Sequence, residues 1–239
     1  MIWLYAALLV LWGNVASSLL GRTAVLPGGT ADFAIAGAAL ALISLVVASS
    51  LGLSAAELGL GRAGLVRGAL VGALIGFVGA IAAVAALRWV APAIVGRQVD
   101  YTPLAQVTQA ELARHVAVLL PLGDIIPEEL AFRGVLLGGL LRRSRLRDAI
   151  VVSGAAFALW HLGVVVPTVG NTTLGQPSPW FVPAIVIALA VVLIGGAALS
   201  WLRIRSGSLA TTIALHWVFN AGLLLGLSYT RGSLAASCC

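Results

Sequence analysis

Residues 111–141 read ELARHVAVLLPLGDIIPEELAFRGVLLGGLL, an apolar run interrupted by Pro121, Asp124, Pro127, Glu128, Glu129 and Arg133. At about 1.5 Å per residue, a helix of this length exceeds the ~30 Å hydrocarbon core of a bilayer. The stretch therefore reads as a membrane segment with ionisable groups inside it. Each such group costs roughly 2.5 to 3.5 kcal/mol on insertion scales, so function is the default reason for its presence. Pro121, Gly123 and Pro127 allow two forms, one long helix or two helical pieces joined by a kink.

Composition extends this reading to the whole chain. Of 239 residues, 61% are hydrophobic and 9% charged, and the mean hydropathy is +1.08. A soluble domain carries about a quarter charged residues, so the bilayer is the expected solvent. The net charge is +6, but every basic residue is an arginine and most lie at the ends of apolar runs. They read as topology determinants rather than a nucleic-acid surface. The expected partners are the lipid bilayer and a membrane-associated peptide or protein substrate, with no nucleic acid.

At about 20 apolar residues per crossing, helices are expected at 2–20, 31–50, 65–90, 111–141, 149–166, 181–202 and 209–227. The expected fold is all-α, a polytopic transmembrane helical bundle of seven or eight helices with its active site within the membrane. It is read as one membrane domain, 1–239, with N-terminal helices and an interfacial segment in 1–110 and a catalytic core in 111–227. Residues 1–20 lack a basic leader region and read as a first span, not a signal peptide. Glu57, Arg62 and Arg67 mix with leucines in 53–67, which suits an interfacial helix of structural role. Cys238 and Cys239 allow no internal disulfide and form no CxxC motif, and read as an unremarkable tail.

Arg142, Arg143, Arg145 and Arg147 crowd one loop, whereas the 167–180 loop has no charge, so the former is expected in the cytoplasm. Seven spans then place the N-terminus inside and the C-terminus outside. Abundant arginine and alanine without lysine suggests a bacterial chain, hence a plasma-membrane location.

Two further motifs accompany Glu128-Glu129-Leu-Ala-Phe-Arg133: Phe157-Ala-Leu-Trp-His161 and His216-Trp-Val-Phe-Asn220. By helical rise, Glu128 lies about 20 Å from Arg142, His161 about 20 Å from Asp148, and His216 and Asn220 about 12 and 18 Å from Ser208. The motifs thus reach a similar depth, as one cytoplasm-facing pocket requires. Residues four apart share a helix face, so His216 and Asn220 point together and Glu129 faces Arg133. Glu128 is rotated about 100° from Glu129 and is left for chemistry. Glu128 with His161 is expected to orient and deprotonate water, and His216 with Asn220 to hydrogen-bond the oxyanion of an attacked amide. That is a peptidase without a side-chain nucleophile.

The ordered motifs EExxxR, FxxxH and HxxxN resemble the CPBP family of intramembrane peptidases, the type II CAAX prenyl endopeptidase or Abi group. The resemblance covers 111–227, while the N-terminal half is similar only in hydropathy and around 57–62. It implies an endopeptidase in which Glu128 activates water with His161, His216 and Asn220 form the oxyanion hole, and Glu129 and Arg133 support the site. Whether the substrate is prenylated does not follow from it.

Around these motifs, His115 is expected to contact Glu111 on one helix face, Asp124 to act as a cap or kink residue, and Phe132, Phe157, Trp160 and Trp217 to line or pack the pocket. The same residues also permit a zinc metallopeptidase with Glu128, His161 and His216 as ligands. No HExxH pair is present and Asn220 fits an oxyanion donor better, so no cofactor is favoured, though zinc is possible. A non-enzymatic immunity protein or transporter is the third reading. A transporter predicts matched broken helices in both halves, and only 121–127 suggests a break.

Overall fold

The computed structural model describes residues 1–19, 30–61 and 64–236. Arg62, Cys238 and Cys239, which figure in the readings above, lie outside them. Among the described residues the chain is all-α, with no named strand. Its nine helices are α1 (Ile2–Leu19), α2 (Thr30–Ser50), α3 (Ala55–Leu58), α4 (Leu65–Val95), α5 (109–141), α6 (Leu146–Trp160), α7 (Leu162–Gly170), α8 (Phe181–Ser206) and α9 (Leu209–Ala236). A 3₁₀ turn, Thr102–Gln106, precedes α5.

By length and composition α4, α8 and 209–229 of α9 are long and apolar enough to cross a membrane, and α6 with α7, bent by 47° at their break, brings the number to four when the pair is counted as one span. The apolar parts of α1 and α2, Ile2–Ser18 and Ala34–Ser50, are shorter. The outward faces of α1, α2, α4 and α8 are apolar: Leu4, Leu8, Ile35, Leu42, Leu70, Leu74, Val186 and Ile194 are all exposed in the isolated chain. This is the surface of an integral membrane helical bundle, in which lipid takes the place of a soluble protein's water.

Two elements differ from the sequence reading, and a third decides between its alternatives. The segment expected as one helix over 149–166 breaks at His161. Of the two forms open at 121–127, α5 takes the continuous one, running on through two π-helical stretches, His115–Ile125 and Leu130–Leu136. The wider π turn accommodates the missing proline N–H, and such turns recur at functional sites. Between them, Ile126–Glu129 is a single α turn carrying Glu128 and Glu129. Finally, only Ala55–Leu58 of the 53–67 segment is described as helix before α4, opened by a Ser54–Glu57 capping box.

Close approach of backbones fixes where the site can form. Gly68, Gly72 and Gly76 repeat every four residues along α4, and a Cβ at Gly72 or Gly76 would overlap the carbonyl oxygen of Thr211 or Leu215 on α9. This small-residue seam lets α9 lie directly on α4. Similarly, Gly37 on α2 abuts the Gly123 carbonyl of α5, Gly13 on α1 lies against the Trp160 indole, and Gly154 of α6 meets Gly196 of α8 at 3.2 Å between a Gly196 Cβ position and the Gly154 Cα.

One end of the bundle is tied by arginines. Arg142 donates to Glu57 Oε2 at 2.6 Å and to the Leu51 and Gly52 carbonyls at 2.8 and 2.9 Å, joining α5 to the end of α2 and to α3. Arg203 of α8 donates to the Glu57 carbonyl at 2.7 Å. It lies against Gly59, whose φ of +76° a side chain would resist. The Arg142 guanidinium and the Ser54 N–H hold the Glu57 carboxyl down at about 2.

Candidate active site

α5 and α9 meet at Glu129. Its Oε1 accepts from Arg133 Nη1 at 3.0 Å and from His216 Nδ1 at 2.9 Å. Neither Glu129 nor Arg133 has any solvent exposure, and His216 is 8% exposed. A buried carboxylate of this kind is sustained by opposite charge and hydrogen bonds, and removing a partner leaves an uncompensated ion. Thr212, one turn before His216, sits beside the same carboxylate. Its hydroxyl donates to Leu209 O at 3.1 Å, and Glu129 Oε2 has no hydrogen-bond partner among the described residues.

Arg133 is held on three sides. Besides Glu129, its Nη2 reaches Gly196 O of α8 at 3.3 Å. Its guanidinium carbon lies 4.0 Å from the centre of the Phe157 ring, a cation–π arrangement. Phe157 then stands at the centre of the site: its ring is 4.3 Å from the His161 ring and 5.8 Å from that of His216, centre to centre. Phe132 stacks edge-on against Phe157 and Trp160 at 5.0 and 5.4 Å. Trp217 faces another way and donates its Nε1–H to Val116 O at 2.8 Å.

His161 occupies the break between α6 and α7 with φ −82° and ψ 0°. Its Nδ1 lies 2.8 Å from Phe157 O. A carbonyl only accepts, so Nδ1 carries a hydrogen, and in the neutral ring Nε2 keeps its lone pair. Glu128 is 7% exposed, makes no hydrogen bond among the described residues, and lies within electrostatic reach of both His161 and Arg133. The same is true of His161 and His216. The structure therefore brings Glu128, Glu129, Arg133, His161 and His216 into one cluster. Asn220 lies one turn beyond His216 on α9, half-buried, and makes no hydrogen bond among the described residues.

Among the described residues no hydrogen bond or ion pair joins His115 to Glu111, the residue expected to share its helix face. The Glu111 carboxylate turns back to its helix N-cap, accepting from Thr108 N at 2.9 Å and Thr108 Oγ1 at 2.8 Å, while His115 is buried. Among the described residues no three His, Cys, Asp or Glu side chains converge closely enough to hold a metal ion. Glu128, His161 and His216 share a region of the bundle without forming a ready ligand set.

Sequence reasoning missed several contributors. The Glu129–His216 contact joins residues 87 apart in the chain, beyond the reach of local spacing. Ser153 and Ser200 link Phe132 O of α5 to α8 through a 3.1 Å hydroxyl pair. Asn14 on α1 reaches both sides of the His161 break. A lone asparagine inside an apolar run was the available signal for it. Residues 111–236 match the family model described as type II CAAX prenyl endopeptidase Rce1-like. No curated protein and no solved structure matches the chain.

Proposed function

The chain belongs to the type II CAAX prenyl endopeptidase Rce1-like family, and from this membership and the clustered ionisable groups we propose that it is an intramembrane endopeptidase cutting a membrane-associated substrate. The observation that carries the reading is the pairing of an unbonded buried carboxylate, Glu128, with an imidazole, His161, whose Nδ1 is committed to Phe157 O. The Glu128 side chain makes no hydrogen bond among the described residues, His161 Nε2 is left uncommitted, and the two groups share one electrostatic neighbourhood.

In this reading Glu128, with His161 Nε2, orients a water and takes its proton as the oxygen bonds to the scissile carbonyl carbon. The carbonyl π electrons move to oxygen. His216, whose Nδ1–H is given to the Glu129 carboxylate, offers a second N–H at Nε2 in its imidazolium form, and Asn220 supplies an amide N–H from the same helix face. When the tetrahedral intermediate collapses, the C–N bond breaks and the proton held by Glu128 passes to the leaving amine. Glu129 positions His216 and balances its charge, and Arg133 holds the Glu129 carboxylate in place. The catalytic unit is 111–227, and α1 to α4 brace it. The arginine asymmetry supports a cytoplasmic Arg142–Arg147 loop and an inside N-terminus, and the arginine- and alanine-rich, lysine-free composition supports a bacterial plasma membrane.

The test is cleavage of fluorogenic CAAX peptides, farnesylated and unmodified, by protein purified into liposomes. Wild-type activity that survives EDTA and disappears in Glu128→Gln and His161→Ala supports the assignment, and the two peptides show whether the lipid is required. Full activity in Glu128→Gln overturns it. Chelator sensitivity reversed by zinc would transfer the same residues to a metallopeptidase.

A further inference from the structure

In an unbroken helix the Gly163 N–H would donate to the Leu159 carbonyl. Here the chain opens at His161, and the Asn14 side chain from α1 fills the gap. Its Oδ1 accepts from Gly163 N at 2.8 Å, and its Nδ2 donates to Leu159 O at 2.9 Å and to its own Val10 O at 2.8 Å. One carboxamide therefore replaces the hydrogen bond that the break removes, matching a donor to the freed acceptor and an acceptor to the freed donor.

The surrounding α1 residues suit this insertion. Gly13 lets the Trp160 indole lie directly on the α1 backbone, and Gly163 approaches Asn14 and Ser17 so closely that its missing Cβ would stand 3.2 Å from the Asn14 Cα and 3.1 Å from the Ser17 Cβ. Small residues on both sides thus bring the backbones within reach of a short amide. Inside a bilayer no water is at hand to satisfy backbone groups freed by a broken helix, so an internal partner is required. Beyond the break, the His161 carbonyl accepts from Val164 and Val165 N at 3.0 and 2.7 Å and starts α7.

We propose that Asn14 is a positioning residue for His161: by holding the helix open at 159–163 it sets the turn in which the imidazole donates Nδ1–H to Phe157 O and keeps Nε2 available to the substrate water. The proposal rests on the catalytic assignment of His161, and it adds to the 111–236 family match a requirement from α1, outside the matched residues. Asn14 touches neither substrate nor reacting atoms; it acts through the backbone that carries the imidazole.

The experiment uses the full chain in liposomes with Asn14→Leu, which removes both bonds at similar size, and Asn14→Asp, which keeps the acceptor for Gly163 N–H. Two readouts are taken: steady-state cleavage and ¹⁵N NMR of the three histidines, with His161→Ala assigning the His161 signals. The expected result for Asn14→Leu is a kcat lower by about 100-fold, the scale on which a small misplacement acts, with KM within about twofold. Its His161 ring signals should move away from the Nδ1–H tautomer. Asn14→Asp should fall between Asn14→Leu and wild type in both measurements. Wild-type kcat with unchanged His161 signals in Asn14→Leu overturns the proposal; should that variant fail to fold, the same pair of results in Asn14→Asp does so. If wild type cuts no peptide, the peptidase reading fails by itself, and the NMR comparison still decides whether Asn14 sets the imidazole.

Discussion

His216 Nδ1 lies 2.9 Å from Glu129 Oε1, the oxygen that also receives Arg133. The acid next to the proposed base is therefore the joint between α5 and α9, and adjacent glutamates have opposite duties. Glu129 ties α5 to α9, while the Glu128 side chain makes no hydrogen bond among the described residues, consistent with the base role proposed for it.

Glu129→Gln should both unfold and inactivate. It removes the charge facing a buried arginine and releases the His216 ring. Breaking one side of such a buried pair costs about 3 to 5 kcal/mol. Thermal unfolding in detergent, read alongside cleavage, should show a large loss in each; unchanged stability would deny Glu129 its bridging role.

Glu128→Gln should separate the two properties. With no hydrogen bond to lose, its unfolding midpoint should stay close to wild type. Cleavage should drop by about 10² to 10⁴-fold, the usual contribution of a positioned general base. A matched loss of stability and activity would instead make Glu128 a structural residue.

Gly72→Leu should detach α9 from its support on α4. Any Cβ at Gly72 collides with the Thr211 carbonyl, and overpacking of this kind costs about 1 to 3 kcal/mol or more. Gly195→Leu on α8, where no atom lies within 4 Å of the added Cβ position, is the control. Equal stability of the two variants, measured by thermal scanning in detergent, would remove the seam from the account.

The Glu57–Arg142 tie should give an acid-side stability step. The Glu57 carboxyl is held down at about 2, chiefly by its hydrogen bonds from Arg142, against about 4.3 in an unfolded chain. A depressed carboxylate contributes stability that is complete above the unfolded value and is lost as pH falls through the folded one. The unfolding midpoint of wild type should therefore decline between about pH 4.3 and 2, and Arg142→Gln should flatten that decline. Parallel curves for the two proteins would show that the tie contributes nothing to stability.

Much of this was readable before any coordinates. The i,i+4 spacing of Glu129 and Arg133 gives their pairing locally, and the S-x-x-E and T-x-x-E patterns at Ser54–Glu57 and Thr108–Glu111 are helix-start signals. The second of these also accounts for why Glu111 turns away from His115. The repeat of Gly68, Gly72 and Gly76 was equally present in the sequence, although a glycine repeat does not say which helix it receives. By contrast, no proline precedes the break at His161, and its stabilising partner, Asn14, is 149 residues from Gly163.

By itself, the sequence determined that this chain is an all-helical membrane protein, that its acid, imidazole and amide groups fall on three successive motifs, and that residues 111–236 carry the family pattern. Hydropathy and helical spacing are local properties, set by each segment's own residues. Only the tertiary structure decided that Glu129 serves Arg133 and His216 together, that α5 passes Pro121 in π form, and that the helix bearing His161 opens around an α1 amide. Those outcomes depend on which backbones approach closely enough to exchange hydrogen bonds, a property of the packed bundle that no single segment contains.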